Sequence, residues 1–211
     1  MSPEPNDNNT KNAIGLLRQQ NITIPDEAAQ KIKEYMRLIR EWNEFASLVS
    51  KKDLDLLENT HLPDALSLAP VIHSLRPQPL RLLDIGSGGG FPAVPLKLLL
   101  PRLQVELVER NAKKAGFLET VTGCLQLEGT RVIQGNFPQA QFSRPDVITA
   151  RAIEKPKKII PEILNIMPAG SVFLCQAGRP ETDTRFHVEP VEDIWGKAQL
   201  RRGQLWLVRR L

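Results

Sequence analysis

Asp84 is followed by Gly86, Ser87, Gly88, Gly89 and Gly90, and then by Phe91 and Pro92. Glycine takes positive φ at no steric cost and leaves no Cβ between the main chain and whatever approaches it. The run directly follows the apolar stretch LRLLDI, so it reads as the turn after a strand. In open α/β sheets, ligands bind outside the carboxyl ends of the strands, at turns of this kind. The spacing Gly86-x-Gly88-x-Gly90 departs from the G-x-G-x-x-G of dinucleotide sites, whose third glycine position is held here by Phe91. An aromatic side chain there crowds a pyrophosphate. S-adenosylmethionine carries a sulfonium and no phosphate, so it does not need the free amides of a helix N-terminus. The D-x-G-x-G-x-G loop therefore favours S-adenosylmethionine over NAD. Glu109 stands some twenty residues further on, at the end of QVELVE, where an acid can accept both ribose hydroxyls of an adenosine ligand. Taken singly, the loop has the lesser alternative of a ligand-free turn, and Glu109 that of a surface acid paired with a lysine. Together, at this spacing, they point to one nucleoside site.

Other side chains could work beside that site. Arg151 stands at the end of DVITA, where a guanidinium contacts a cofactor, pairs with phosphate, stacks on a base, or forms a structural ion pair. His61 and Asp64 precede the sheet region and either face a substrate or tie the N-terminal part down. Lys113 and Lys114 open a predicted helix, a poor place for cations beside the helix dipole, and so are candidates for phosphate contact or a solvated pair. Cys124 and Cys175 lie in the apolar contexts GCLQL and VFLCQ and read as buried, reduced thiols. No C-x-x-C or Cys/His cluster is present, and no metal is expected.

These groups must be positioned by regular elements. Up to about residue 75 the pattern is helical. Ile32, Tyr35, Met36, Ile39, Trp42, Ala46 and Val49 recur at steps of three and four, with charged residues on the opposite face. Shorter helices are predicted near 14–18, 54–58 and 64–72. Arg76 to Pro79 (RPQP) breaks the chain. Beyond it, strands (LRLLDI, QVELVE, RVIQ, DVITA, SVFLCQ, QLWLVRR) alternate with helices over 93–100, 112–127 and 157–167. Alternation of this kind predicts an α/β fold, a mostly parallel sheet with helices on both faces. The chain divides into a disordered tail (1–10), a helical cap (11–75) and a ligand-binding domain (76–211).

Its 211 residues, 41% hydrophobic, suffice for one sizeable core. No run approaches the ~18 apolar residues of a membrane span, and the polar MSPEPNDNNTKN lacks a signal peptide's apolar stretch. A cytoplasmic protein is expected. Twenty-eight Lys and Arg against 24 Asp and Glu give a net charge of +4, which permits a polyanionic partner without requiring one. Basic clusters occur at Lys113-Lys114, at Lys155 with Lys157-Lys158, at Arg201-Arg202 and at Arg209-Arg210.

Several motifs in order resemble those of the bacterial 16S rRNA guanine-N7 methyltransferases known as RsmG, formerly GidB: EWN (41–43), HLPDALSLAP (61–70), DIGSGGGFPAVPL (84–96) with both prolines, LVERNAKKAGFLETV (107–121) and ARAI (150–153). The resemblance covers nearly the whole chain. It implies a Rossmann-like methyltransferase sheet whose last strand is antiparallel, preceded by a helical extension. It implies S-adenosylmethionine as cofactor, 16S rRNA or the small ribosomal subunit as partner, and methylation of N7 at guanine 527 in the 530 loop; separately, a monomer is expected. By position it places cofactor contacts on Gly86, Ser87, Gly88, Gly90, Phe91 and Glu109, on the Asn136, Phe137, Pro138 loop, and on Arg151, which is also the candidate catalytic residue. His61, Asp64, Lys113 and Lys114 become candidates for RNA contact. The chain departs from the family in Glu109, usually aspartate, in Asn136-Phe137-Pro138, usually an R-A-E-like triplet, and in Gln176-Ala177-Gly178, where L-K-G is usual. A divergent enzyme acting on another RNA or a small molecule, and a non-catalytic or NAD-binding Rossmann protein, stand as alternatives. N7 methylation needs no general base, in keeping with the lack of an obvious catalytic dyad. Exocyclic-amine chemistry would resemble a [DN]-P-P-[YFW] loop, and Ala150-Arg151-Ala152 stands in its place. C5 chemistry would need a cysteine nucleophile in a mobile loop, whereas both cysteines fall in predicted regular elements.

Overall fold

A computed structural model describes residues 8–19, 21–75, 80–151, 155–176, 178–192 and 203–211. The chain break at 76–79, the second half of ARAI, Ala177 and the Arg201-Arg202 cluster lie outside them.

The N-terminal part is helical. Helix α1 spans Asn8–Gln19, longer than the stretch predicted and reaching into the segment read as tail. Helix α2 spans Ala28–Ala46 and buries the predicted stripe: Ile32, Tyr35, Met36, Ile39 and Ala46. It ends where Ser47 takes a left-handed conformation and its N–H bonds to the Asn43 carbonyl. A 3-10 turn (Lys51–Leu56) runs into a π-type turn (Leu57–His61). The helix predicted over 64–72 is instead two short helices, α3 (Leu62–Leu66) and α4 (Ala69–Ser74). Pro63 and Pro70 each sit in a first helical turn, where a missing N–H costs nothing.

Among the described residues, seven strands form one sheet in the order β3-β2-β1-β4-β5-β7-β6. The first five, β1 (Arg81–Ile85), β2 (Gln104–Glu109), β3 (Thr130–Gln134), β4 (Val147–Ala150) and β5 (Val172–Cys175), pair in parallel. Strand β7 (Leu205–Arg210) pairs antiparallel with β5, as expected. Strand β6 (Phe186–Val191), on the outer side of β7, was not anticipated. Its sequence FHVEPV contains a proline, which argues against a strand read locally. An edge strand tolerates it, because only one side must supply ladder hydrogen bonds.

Period-two alternation divides β1 between the sheet's faces. Leu82 lies in the apolar cluster that also holds residues of α2, of α5 (Ala93–Leu99) and of α6 (Ala112–Cys124). Leu83 and Ile85 pack with α7 (Pro156–Ile166) on the opposite face. Residues of α1 and α2 belong to the same apolar cluster as those of α5 and α6, so the N-terminal helices share the core of one sheet face. Cys175 is buried as expected. Cys124 is exposed, because α6 ends there and turns its last residue outward. No helix of the described residues is long and apolar enough to cross a membrane.

Candidate functional site

The turn after β1 is tied to β2: the Gly86 and Ser87 amides donate to the Val108 carbonyl at 2.9 and 3.1 Å. Gly86, Gly88 and Gly90 all have positive φ, 71°, 53° and 91°. Glu109 ends β2 opposite the turn and is 6% exposed. One carboxylate oxygen accepts the Gly88 amide at 2.9 Å and the other accepts the Asn111 amide at 2.8 Å. Asn111 in turn caps α6, its side chain accepting the Lys113 and Lys114 amides at 2.9 and 3.3 Å. A glutamate fits because its length spans the gap from the strand end to the turn. Removing the carboxylate leaves two amide donors without their acceptor beside the cleft. Glu109→Ala is expected to weaken S-adenosylmethionine binding by about 1–3 kcal/mol, read by calorimetry; unchanged affinity would overturn this role.

From below, the turn rests on α2. The Tyr35 side chain is fully buried and its hydroxyl donates to the Gly89 carbonyl at 2.5 Å. Burial pushes that phenol well above its usual pKa. The Tyr35 and Phe91 rings lie 5.3 Å apart.

A cleft of about 890 Å³ opens at the carboxyl ends of β1, β2 and β4. The turn lines it with Gly86, Ser87, Gly88 and Phe91, and Glu109 faces them. Asn136, Phe137 and Pro138 form another wall, with Arg151, His61 and Lys114 also at the surface. Three residues singled out from sequence lie elsewhere. Gly90 is not among the lining residues: a Cβ there would stand 2.7 Å from Val94 Cγ2 and 3.0 Å from the Tyr35 hydroxyl, so its glycine serves packing. Asp64 is buried behind Arg151. Lys113 turns outward, its Nζ 4.5 Å from the centre of the Phe45 ring.

Arg151 is held on several sides. Its Nη2 lies 2.7 Å from His61 Nδ1 and 3.3 Å from Asp64 Oδ2, and the guanidinium carbon sits 5.6 Å from the Phe91 ring centre. Arginine can only donate, so His61 Nδ1 accepts and its proton is on Nε2, which faces Asp53 Oδ1 at 3.2 Å. Gln176 donates to Asp64 Oδ2 at 3.2 Å. His61 thus both lines the cleft and joins the helical segment to the end of β4.

Beneath the turn, Asp84 is buried, and Thr149 Oγ1 donates to its Oδ1 at 2.7 Å. Burial raises its pKa to about 7, the nearby Glu109 charge adding to this while Thr149, Ser87 and Arg151 oppose it. In the unfolded chain an aspartate titrates near ~3.9. Between about pH 4 and about pH 7 the folded protein therefore holds the proton more tightly, and stability falls as pH rises through that window. The wild type is expected to lose more melting temperature from pH 5 to pH 7.5 than Asp84→Asn. Parallel losses would show that this carboxyl ionises freely.

Sequence reasoning missed Leu48, Asp53, Lys155, Lys158 and Glu162 as lining residues. Lys155 and Lys158 stood out as a basic cluster without a place. Nothing local marks Leu48 or Asp53, which reach the cleft only because α2 is docked on the sheet.

A family model described as rRNA small subunit methyltransferase G matches residues 28–191. The chain belongs to this rRNA small subunit methyltransferase G family. A relative named ribosomal RNA small subunit methyltransferase G from Chloroflexus aggregans is 34% identical over 167 residues, 77% of this chain and 69% of the relative. One of the same name from Streptococcus pneumoniae is 34% identical over 151 residues, 69% of this chain and 63% of the relative. Among solved structures, the S-adenosylhomocysteine-bound Podospora anserina methyltransferase PaMTH1 has the same fold, with a TM-score of 0.62 at 14% identity over 100% of this chain and 99% of that one. The MtNAS complex with MTA and tNA gives 0.58 at 19% identity, covering 85% and 71%. As a member of the methyltransferase G family, the chain is a methyltransferase with S-adenosylmethionine as its methyl donor.

Proposed function

We propose that this protein methylates N7 of a guanine in the 530 loop of 16S rRNA, position 527. Family membership supports the substrate, and one observation carries the site: the Glu109 carboxylate accepts the Gly88 amide at 2.9 Å, so acid and glycine turn together line a cleft at the carboxyl ends of β1 and β2. The residues fit the donor. Glycines leave room for a nucleoside against the main chain, Glu109 presents acceptors for ribose hydroxyls, and the cleft lies in the ordinary size range of small-molecule sites.

S-adenosylmethionine supplies an electrophilic methyl group on a sulfonium. Guanine N7 has a free lone pair, so the N–C bond forms as the S–C bond breaks and no proton has to leave first. The protein's contribution is orientation, which by itself can lower a barrier by roughly 7–11 kcal/mol. In this reading Gly86, Ser87, Gly88, Phe91 and Glu109 hold the donor, with Asn136, Phe137 and Pro138 beside its adenine. Arg151, braced by His61 and Asp64, reaches the base or its phosphate, and Lys114 meets the RNA backbone. Residues 11–75 serve as a cap on the domain formed by 76–211. The enzyme works as a monomer, and its substrate places it in the cytoplasm.

The test is to map N7-methylguanosine in small-subunit rRNA from a deletion strain and from the complemented strain. Loss and return of methylation at position 527 is the expected result. A guanine that stays methylated without the gene removes the substrate assignment.

A further inference from the structure

Among the described residues, Phe45 and Leu211 are the exposed large apolar side chains, at 59% and 72%. Leu211 is the last residue of the chain. Phe45 lies within a helix, off the buried stripe of α2. A lone exposed apolar residue is ordinary, but three features set this one apart. The Lys113 ammonium sits over its ring at 4.5 Å from the centre. Trp42, itself packed on Phe117 with ring centres 5.9 Å apart, meets the ring edge-on at 6.0 Å and supports it. Chain neighbours of the pair line the donor cleft: Leu48, three residues beyond Phe45, and Lys114, next to Lys113.

An exposed, buttressed aromatic ring with a cation on it matches the chemistry of single-stranded nucleic acid: the ring stacks a base and the ammonium pairs with the adjoining phosphate. Lys113 and Lys114 lie in the first turn of α6, where the helix dipole adds to the positive potential, and exposed Arg110 is just before it. A second protein copy fits less well, because a stable interface buries about 1,200–2,000 Å² and one ring offers a small fraction of that. We propose that Phe45, with Lys113, is a stacking platform for an unpaired base of the RNA substrate flanking the target guanine. This rests on the rRNA reading above and adds to it a contact outside the donor cleft.

Small-subunit particles purified from a strain lacking the gene provide the substrate. Phe45→Ala is expected to raise KM for particles about tenfold, with kcat, S-adenosylmethionine affinity by calorimetry and melting temperature unchanged. Phe45→Trp is expected to restore KM. Equal KM for Phe45→Ala and wild type overturns the platform, as does light scattering that shows a wild-type dimer dissolved by Phe45→Ala. A fluorescein-labelled 530-loop RNA hairpin, followed by anisotropy, separates the two readings. If the wild type transfers no methyl group yet binds the hairpin about tenfold more tightly than Phe45→Ala, the reaction assignment falls and the platform stands. Equal binding, or none by either protein, removes the platform.

Discussion

Gly88→Val is expected to raise the dissociation constant for S-adenosylmethionine about a hundredfold or more, a loss of roughly 3 kcal/mol, while the protein stays folded. Gly88 lines the cleft directly, and a Cβ built on it meets only the Gly86 carbonyl oxygen, at 3.8 Å. The folded chain therefore has room for a side chain, and the added methyls project where the donor must lie. At φ 53° the residue is in the left-handed region, which costs an L-residue about 1–2 kcal/mol. For a protein of this size that lowers the melting temperature by roughly 2–8 °C. Calorimetry with S-adenosylmethionine and a circular-dichroism melt give both quantities. A folded variant with wild-type affinity would show that the donor does not approach this part of the turn.

Gly90→Ala, two residues away, is expected to do the reverse. Its Cβ would fall 2.7 Å from Val94 Cγ2, 3.0 Å from the Tyr35 hydroxyl and 3.3 Å from Leu118 Cδ2. Val94 can rotate, but Tyr35 is fully buried and bonded to the Gly89 carbonyl, so it retreats only by losing that hydrogen bond. Overpacking of this kind costs about 1–3 kcal/mol, and φ of 91° adds backbone strain of about 1–2 kcal/mol. The melting temperature is expected to fall by roughly 5–15 °C. An unchanged melt would mean that α2 does not clamp the turn as tightly as these distances imply. Two glycines of one motif thus serve different ends, one leaving space for the ligand and the other for a helix.

The fold's order was legible because its signals are local. Alternating apolar runs and helical stretches placed β1 to β5, α5 to α7 and β7 near their observed limits, hydrophobic periodicity marked the buried side of α2, and the antiparallel direction of β7 came from the family resemblance. Strand β6 was missed because its proline argues against a strand unless the neighbours are known. The single helix predicted over 64–72 failed because 3.6-residue periodicity does not show a break between two short helices.

The sequence by itself determined the glycine turn, the acid at the end of β2 and the interval between them, because strand lengths and turn chemistry depend on neighbours along the chain. Tertiary structure alone decided that Tyr35 supports the turn from 54 residues away, that His61 and Asp64 are directed at Arg151, and that Gly90 faces a helix while Gly88 faces the cleft. Those outcomes depend on how α2 docks against the sheet. That docking comes from burial of apolar surface, which is non-directional and leaves no local mark on the residues it brings together.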